Sequence, residues 1–211
     1  MTVLDEHPLH GRKRVQYDIW RQAVELRRCG REWKDETRVA ALRAALSEAK
    51  RFTTSLSTRA LNPPTWGYIT GLVEGDGHLG LSRRQARLSI HLRADDRPLL
   101  ELLAGVTGFG SITYSPAYRT SMPSAAWSVS RPAELVEIGN SLQSTGIRGR
   151  KAREFVPWFE AVAELHAARS EKRTPDVQLL ADCQDRLIAA RRYPGVRITS
   201  RVARLVTVHT S

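Results

Sequence analysis

Residues 87–93 alternate strictly, with Leu88, Ile90 and Leu92 on one face and Arg87, Ser89, His91 and Arg93 on the other. A two-residue period of this kind predicts a strand buried on one side. A shorter alternation over residues 78–83 turns Leu79 and Leu81 inward and His78, Gly80 and Ser82 outward, with Arg84 continuing the outer face into the turn. Together the two runs predict a hairpin. Two further alternating runs, Ser111–Ser115 and residues 126–130, set Ile112, Tyr114, Trp127 and Val129 against small hydroxyl residues. Between the strand pairs, Leu99, Leu100, Leu102 and Leu103 recur at helical spacing after a candidate cap at Asp95, and Gly105 and Gly108 close the run. Pro132 opens another helix over residues 133–143. The pattern predicts an α+β fold with an antiparallel sheet covered by helices on one face and open on the other.

The first strand is preceded by WGYITGLVEGDGHLGL, residues 66–81. Gly67, Gly71 and Gly75 are spaced by four and so share one face of a helix. Each costs roughly 1 kcal/mol relative to alanine in a helix interior. Such a stripe therefore predicts the close approach of a partner helix. Asn62 is the expected cap, with Pro63-Pro64 in the first turn. The run ends in Glu74-Gly75-Asp76-Gly77, where a carboxylate between glycines leaves a carbonyl beside it. Hard divalent cations take such oxygens, although an ordinary acidic turn closing a buried helix has the same local sequence.

Residues 9–24 match residues 147–162 without a gap: Gly11 with Gly149, Lys13 with Lys151, Tyr17 with Phe155, Trp20 with Trp158, and Ala23-Val24 with Ala161-Val162. Each copy runs on into a second helix, over residues 39–52 and 177–193, so the chain contains an internal repeat. Trp20 and Trp158 lie on the apolar helical stripe with Val24 and Val162, and both are expected in the core.

ITGLVEGDG, residues 69–77, resembles the motif of the LAGLIDADG homing endonucleases. The resemblance implies one complete αββαββα repeat over residues 61–193, with a four-stranded saddle sheet. Residues 1–60 then resemble the closing helices of a preceding repeat, and residues 194–211 form a basic tail. In that family two motif helices pack together, and each delivers an acid to a metal ion. The resemblance therefore implies Asp76 as metal ligand and catalytic residue, the Gly75 carbonyl as a second ligand, and Mg2+ or Mn2+ as the ion. It also implies a basic residue near the scissile phosphate, for which Arg148 comes first and Arg150 and Lys151 next.

The implied activity is site-specific, metal-dependent hydrolysis of both strands of duplex DNA. On the open face Arg84, Arg87, Ser89, His91, Arg93, Ser111, Thr113, Ser115, Ser128 and Ser130 are the expected groove-facing residues, since arginine bonds guanine edges and hydroxyls read several bases. Arg150 is expected to join them at the DNA. Only one motif acid is present. A homodimer through Gly67, Gly71 and Gly75 would restore the pair; a start upstream of Met1 or a decaying gene are the other accounts. The alternative function is a non-catalytic nucleic-acid binder on the same scaffold, either a maturase gripping intron RNA or a DNA-binding regulator.

A formal net charge of +11 agrees with a polyanionic partner. Basic clusters at residues 12–14, 83–84, 148–153 and 191–192 suit phosphates. Cys29 and Cys183 stand alone, without the spacing of a zinc site or a disulfide framework. No long apolar run or secretory leader is present, so a cytoplasmic, nucleoid-associated protein is expected, away from membranes.

Overall fold

The computed structural model describes residues 9–28, 30, 35–51, 64–82 and 84–192. An N-terminal helix pair, α1 (Arg12–Arg28) and α2 (Glu36–Glu48), precedes α3 (Trp66–Asp76). There follow β1 (Gly77–Ser82), β2 (Gln85–Arg93), a 3-10 turn (Ala94–Asp96), α4 (Arg97–Thr107), β3 (Ser111–Ser115), β4 (Ser124–Val129), α5 (Pro132–Thr145), α6 (Gly149–Ser170) and α7 (Val177–Arg191). From α3 onward the expected order of helices and strands is present. The sheet is four-stranded in the order β1-β2-β4-β3, and every pairing is antiparallel.

Register turns the sequence alternation into two faces. Leu79, Leu88 and Val129 form one inward row, and Ile90, Trp127 and Ile112 form the next. Ile69 and Val73 of α3, Leu100 and Leu103 of α4, Leu135, Ile138 and Leu142 of α5, and Trp158 of α6 cluster with the rows from β1, β2 and β4. Fully burying one such aliphatic side chain contributes about 1.5–3 kcal/mol. Trp127 donates from its indole N–H to the Phe109 carbonyl at 2.9 Å, so its polar edge is satisfied within the core. Tyr114, expected inward, is exposed near the end of the edge strand β3.

Several local expectations are corrected. Thr65 caps α3, its hydroxyl accepting from the Tyr68 N–H at 3.3 Å, so Pro64 precedes the helix and does not form its first turn. Asn62, Pro63, Cys29, Phe52, Arg83, Tyr193 and the tail 194–211 lie outside the described residues. Asp95 makes no cap: it is buried and bonded to Arg93, while α4 begins at Arg97 with a proline in its first turn.

The internal repeat reappears as geometry. Gly11 and Gly149 both take positive φ, +59° and +62°, at the entry to α1 and α6. Only glycine adopts this conformation without strain. Asp35 and Asp176 cap the second helix of each pair. Burial separates the copies. Trp158 is fully buried and donates to the Gly80 carbonyl at 3.1 Å, whereas its match Trp20 is 55% exposed. The expectation of a core Trp20 fails because the sheet that covers α6 has no counterpart over α1 within the described residues. Helix α2 likewise buries no residue, while α7 buries Leu180, Cys183 and Leu187.

Chemical denaturation of the two tryptophan variants tests this difference. Trp158→Ala is expected to lose about 3–5 kcal/mol, and Trp20→Ala to stay within about 1 kcal/mol of the parent.

Candidate nucleic-acid interface and metal site

Helix α3 passes into β1 with no intervening loop. The Gly77 N–H donates to the Val73 carbonyl, and a Cβ on Gly77 would lie 2.5 Å from that oxygen, so a side chain there would break the junction. The inner side of α3 is fixed by buried Ile69, Thr70 and Val73. Asp76, the last helical residue, is left exposed. On the other side of α3 the expected stripe is open: Gly67, Gly71 and Gly75 are exposed, and a Cβ on Gly71 or Gly75 would meet nothing within 4 Å. Nothing else among the described residues of the chain occupies that face.

Glu74 is tied down. Its carboxylate accepts the Arg148 backbone N–H at 2.5 Å, linking the end of α3 to the entry of α6. A negative group at a helix N-terminus also interacts favourably with the helix dipole.

Asp76 lines a cleft of about 390 Å³ whose wall also includes Tyr68, His91 and Asp96 from the repeat and Arg12 and Lys13 from α1. No period or motif in residues 12–28 places α1 there. The signal available was the match of Lys13 to Lys151, one of the basic residues expected near the phosphate. Tyr68 sits between two acids, and its phenol is held above its ordinary pKa, first by burial and further by Asp96 and Asp76.

The basic residues expected near the phosphate are distributed differently. Arg148 is exposed. Lys151 is buried with its ammonium 3.4 Å from Glu154, a carboxylate that also meets Arg150 at 3.4 Å and Arg191 at 3.2 Å. Arg191 additionally donates to the Leu79 carbonyl, so this cluster fastens α6 and α7 to the edge of the sheet. Lys151 is not among the residues lining the Asp76 cleft. His78 has its pKa lowered by burial and then by the nearby charges of Arg191 and Lys151.

On the open sheet face, His78, Ser89, Ser128 and Ser111 form one row across all four strands, and His91, Ala126 and Thr113 form the next. Arg84, Arg87, His91, Ser111, Thr113 and Ser115 are exposed; Ser128 and Ser130 are half-buried. Ser89 is buried, because it occupies a central strand flanked on both sides. Arg93 is committed elsewhere. Its guanidinium pairs with buried Asp95 and donates to the Lys50 and Arg51 carbonyls at 2.9 and 3.0 Å, just past the C-terminal end of α2. That arrangement satisfies carbonyls at a helix end.

Asp76 and the Gly75 carbonyl offer hard oxygens of the type a divalent ion takes. Among the described residues no group of three or more His, Cys, Asp or Glu side chains stands together to hold a metal ion. The chain's own donors therefore fit part of a coordination shell. Among the same residues no helix is long and apolar enough to cross a membrane.

No protein-family model matches the chain, and no curated protein matches its sequence. Solved structures do match. I-SmaMI bound to an uncleaved DNA target in the presence of calcium ions is 15% identical over 89% of this chain and 68% of its own, with a TM-score of 0.64. The LAGLIDADG homing endonuclease I-GzeII in complex with its DNA target is 13% identical over 90% and 72%, also at 0.64. The LAGLIDADG meganuclease I-AabMI bound to uncleaved DNA is 15% identical over 90% and 72%, at 0.62. The chain has the LAGLIDADG homing-endonuclease fold. The share of this chain that is covered exceeds the span from α3 to α7, so the likeness extends into the helix pair before α3.

Replacing Arg93 separates structural from groove-facing arginines. Arg93→Ala removes the guanidinium that pairs with the buried Asp95 carboxylate and is expected to cost about 3 kcal/mol in denaturant titrations. Arg87→Ala is expected to change stability by no more than about 0.5 kcal/mol.

Proposed function

We propose that the chain is a site-specific DNA endonuclease that hydrolyses phosphodiesters with a divalent ion, Mg2+ or Mn2+, at Asp76. The observation that carries this reading is the convergence, in one cleft, of the exposed carboxylate ending α3 with Lys13 and His91, beside an open sheet face bearing arginines and hydroxyls. The DNA-bound state of neighbours with the same fold supports duplex DNA as the partner.

In this reading Arg84, Arg87, His91, Ser111, Thr113 and Ser115 face the groove, and the exposed basic residues, Arg148 among them, hold phosphates. Ser128 and Ser130 border the same surface. The Asp76 carboxylate and the Gly75 carbonyl would hold the ion. Once bound, the ion supplies a nucleophilic water at neutral pH and screens the phosphate charge. The Lys13 ammonium neutralises charge that develops on the phosphate as the bond to the leaving oxygen breaks. Lys13 thus takes the part that the sequence offered to Arg148 or Lys151, since Lys151 is spent on Glu154.

One carboxylate serves one strand. Cutting both strands calls for a second motif helix, and the exposed Gly67, Gly71 and Gly75 stripe is where a second copy of this chain would pack. A homodimer would place two Asp76 residues about a two-fold axis and recognise a pseudo-palindromic site. A second reading is favoured by the absence of a complete metal-ligand cluster among the described residues. On that reading the same surface binds duplex DNA or folded intron RNA without cutting it.

Selection of binding duplexes from a randomised pool, followed by incubation with Mg2+, tests the proposal. Asp76→Asn is expected to lower the cleavage rate by about 10²- to 10³-fold or more without loss of affinity, and Lys13→Ala to lower it by about 10²-fold. Equal cutting by Asp76→Asn and the parent would refute the nuclease assignment. Tight binding by the parent with no cutting in Mg2+ or Mn2+ would establish the second reading.

A further inference from the structure

The wall of the cleft that carries Lys13 belongs to α1, yet α1 makes few contacts with the repeat that holds Asp76. The partner helix α2 is tied separately, through the Arg93 bonds to the Lys50 and Arg51 carbonyls, and the bonds at the entry of α1 itself gather on one acid. The Arg12 backbone N–H donates to Asp96 Oδ1 at 3.1 Å, and the Arg12 guanidinium meets Asp96 Oδ2 at 3.2 Å, across 84 residues of sequence. Both side chains are largely buried, at 16% and 12% exposure. Gly11 makes the approach possible: its φ is +59°, and a Cβ on it would lie 2.9 Å from Asp96 Oδ1. Beside this contact the buried His10 ring packs edge-on against Tyr68 at 4.4 Å, and Tyr68 stands on α3 two turns before Asp76.

We infer that Asp96 is a positioning residue for the cleft: by gripping the first turn of α1 it holds Lys13 opposite Asp76. This inference rests on the reading of the cleft as a site of DNA cleavage. Asp96 lies outside the motif and, among the described residues, bonds to Arg12 and to neither Asp76 nor Lys13, so its effect runs through Arg12. A carboxylate at the first turn of a helix is favoured both by the unpaired N–H groups there and by the helix dipole. The second copy uses the same device with a different acid, since the Arg148 N–H, two residues before the matching position, is accepted by Glu74. Each helix entry is therefore pinned by a carboxylate of the complete repeat. At α1 the pin also supplies a guanidinium pair, and the next residue along is Lys13.

Conversion of Asp96 to asparagine keeps an oxygen for the Arg12 N–H and removes the ion pair. Asp96→Asn is expected to lower the single-turnover cleavage rate about tenfold with unchanged DNA affinity, because a small misplacement of a catalytic group is costly in rate. A merely structural residue would slow the Lys13→Ala variant by the same factor. A residue acting through Lys13 leaves Lys13→Ala no slower. Amide hydrogen exchange gives a readout independent of cutting: Asp96→Asn is expected to speed exchange along α1 and leave β1, β2 and α6 unchanged. Multiplicative rate losses in the double variant, or unaltered protection of α1, would overturn the inference. If the parent cuts no DNA, the nuclease reading fails, and the exchange measurement alone decides the anchor, unaltered protection again overturning it.

Discussion

A helix that runs into a strand with no loop between them is the constraint on which the rest depends. At the α3–β1 junction the Gly77 N–H closes on the Val73 carbonyl in a space too small for a side chain. The last helical residue is thereby held at the edge of the sheet, and the direction of β1 is set by the axis of α3. Ile69 and Val73 bury the inner side of the helix against the sheet, so the outer side cannot turn away from solvent. Asp76 at the mouth of the cleft and three glycines on an open stripe are consequences of the same junction.

The second organising element is the pair of matched helix entries. Positive-φ glycines at Gly11 and Gly149 start α1 and α6, and two carboxylates, Asp96 after β2 and Glu74 on α3, hold both. Beyond those entries the copies diverge in burial. Helix α6 lies on the sheet with Trp158 bonded to the Gly80 carbonyl; α1 presents the matching Trp20 to solvent. A helix face with the sequence of a core face, but with no sheet over it among the described residues, is a surface that excludes water only when something else covers it.

The order of elements was legible in the sequence because the period-two runs and the helical stripes report burial directly, and burial is what the sheet and its helix layer decide. The acidic turn was legible because its glycines answer a local backbone demand. Polar commitments over long distances were not. Arg93 alternates with Arg87 and His91 and so reads as an outer-face residue, yet a buried acid two residues on and the carbonyls beyond α2 capture it. Asp95 reads as a helix cap, yet its buried carboxylate pairs with Arg93, and the neighbouring Asp96 pairs with Arg12 across 84 residues. Ser89 follows the outer alternation, but a small side chain in a central strand is covered by its neighbours. Lys13 entered the cleft through the fold of a segment whose own pattern says nothing of Asp76. In each case the partner lies in another element, and no local period encodes it.

The account turns on whether the open stripe of α3 receives a second motif helix. Light scattering of the purified chain on a selected duplex, in a divalent ion, measures this directly through the number of chains bound per DNA. Two chains per duplex is the predicted result. A single chain per duplex that nevertheless cuts both strands would contradict it.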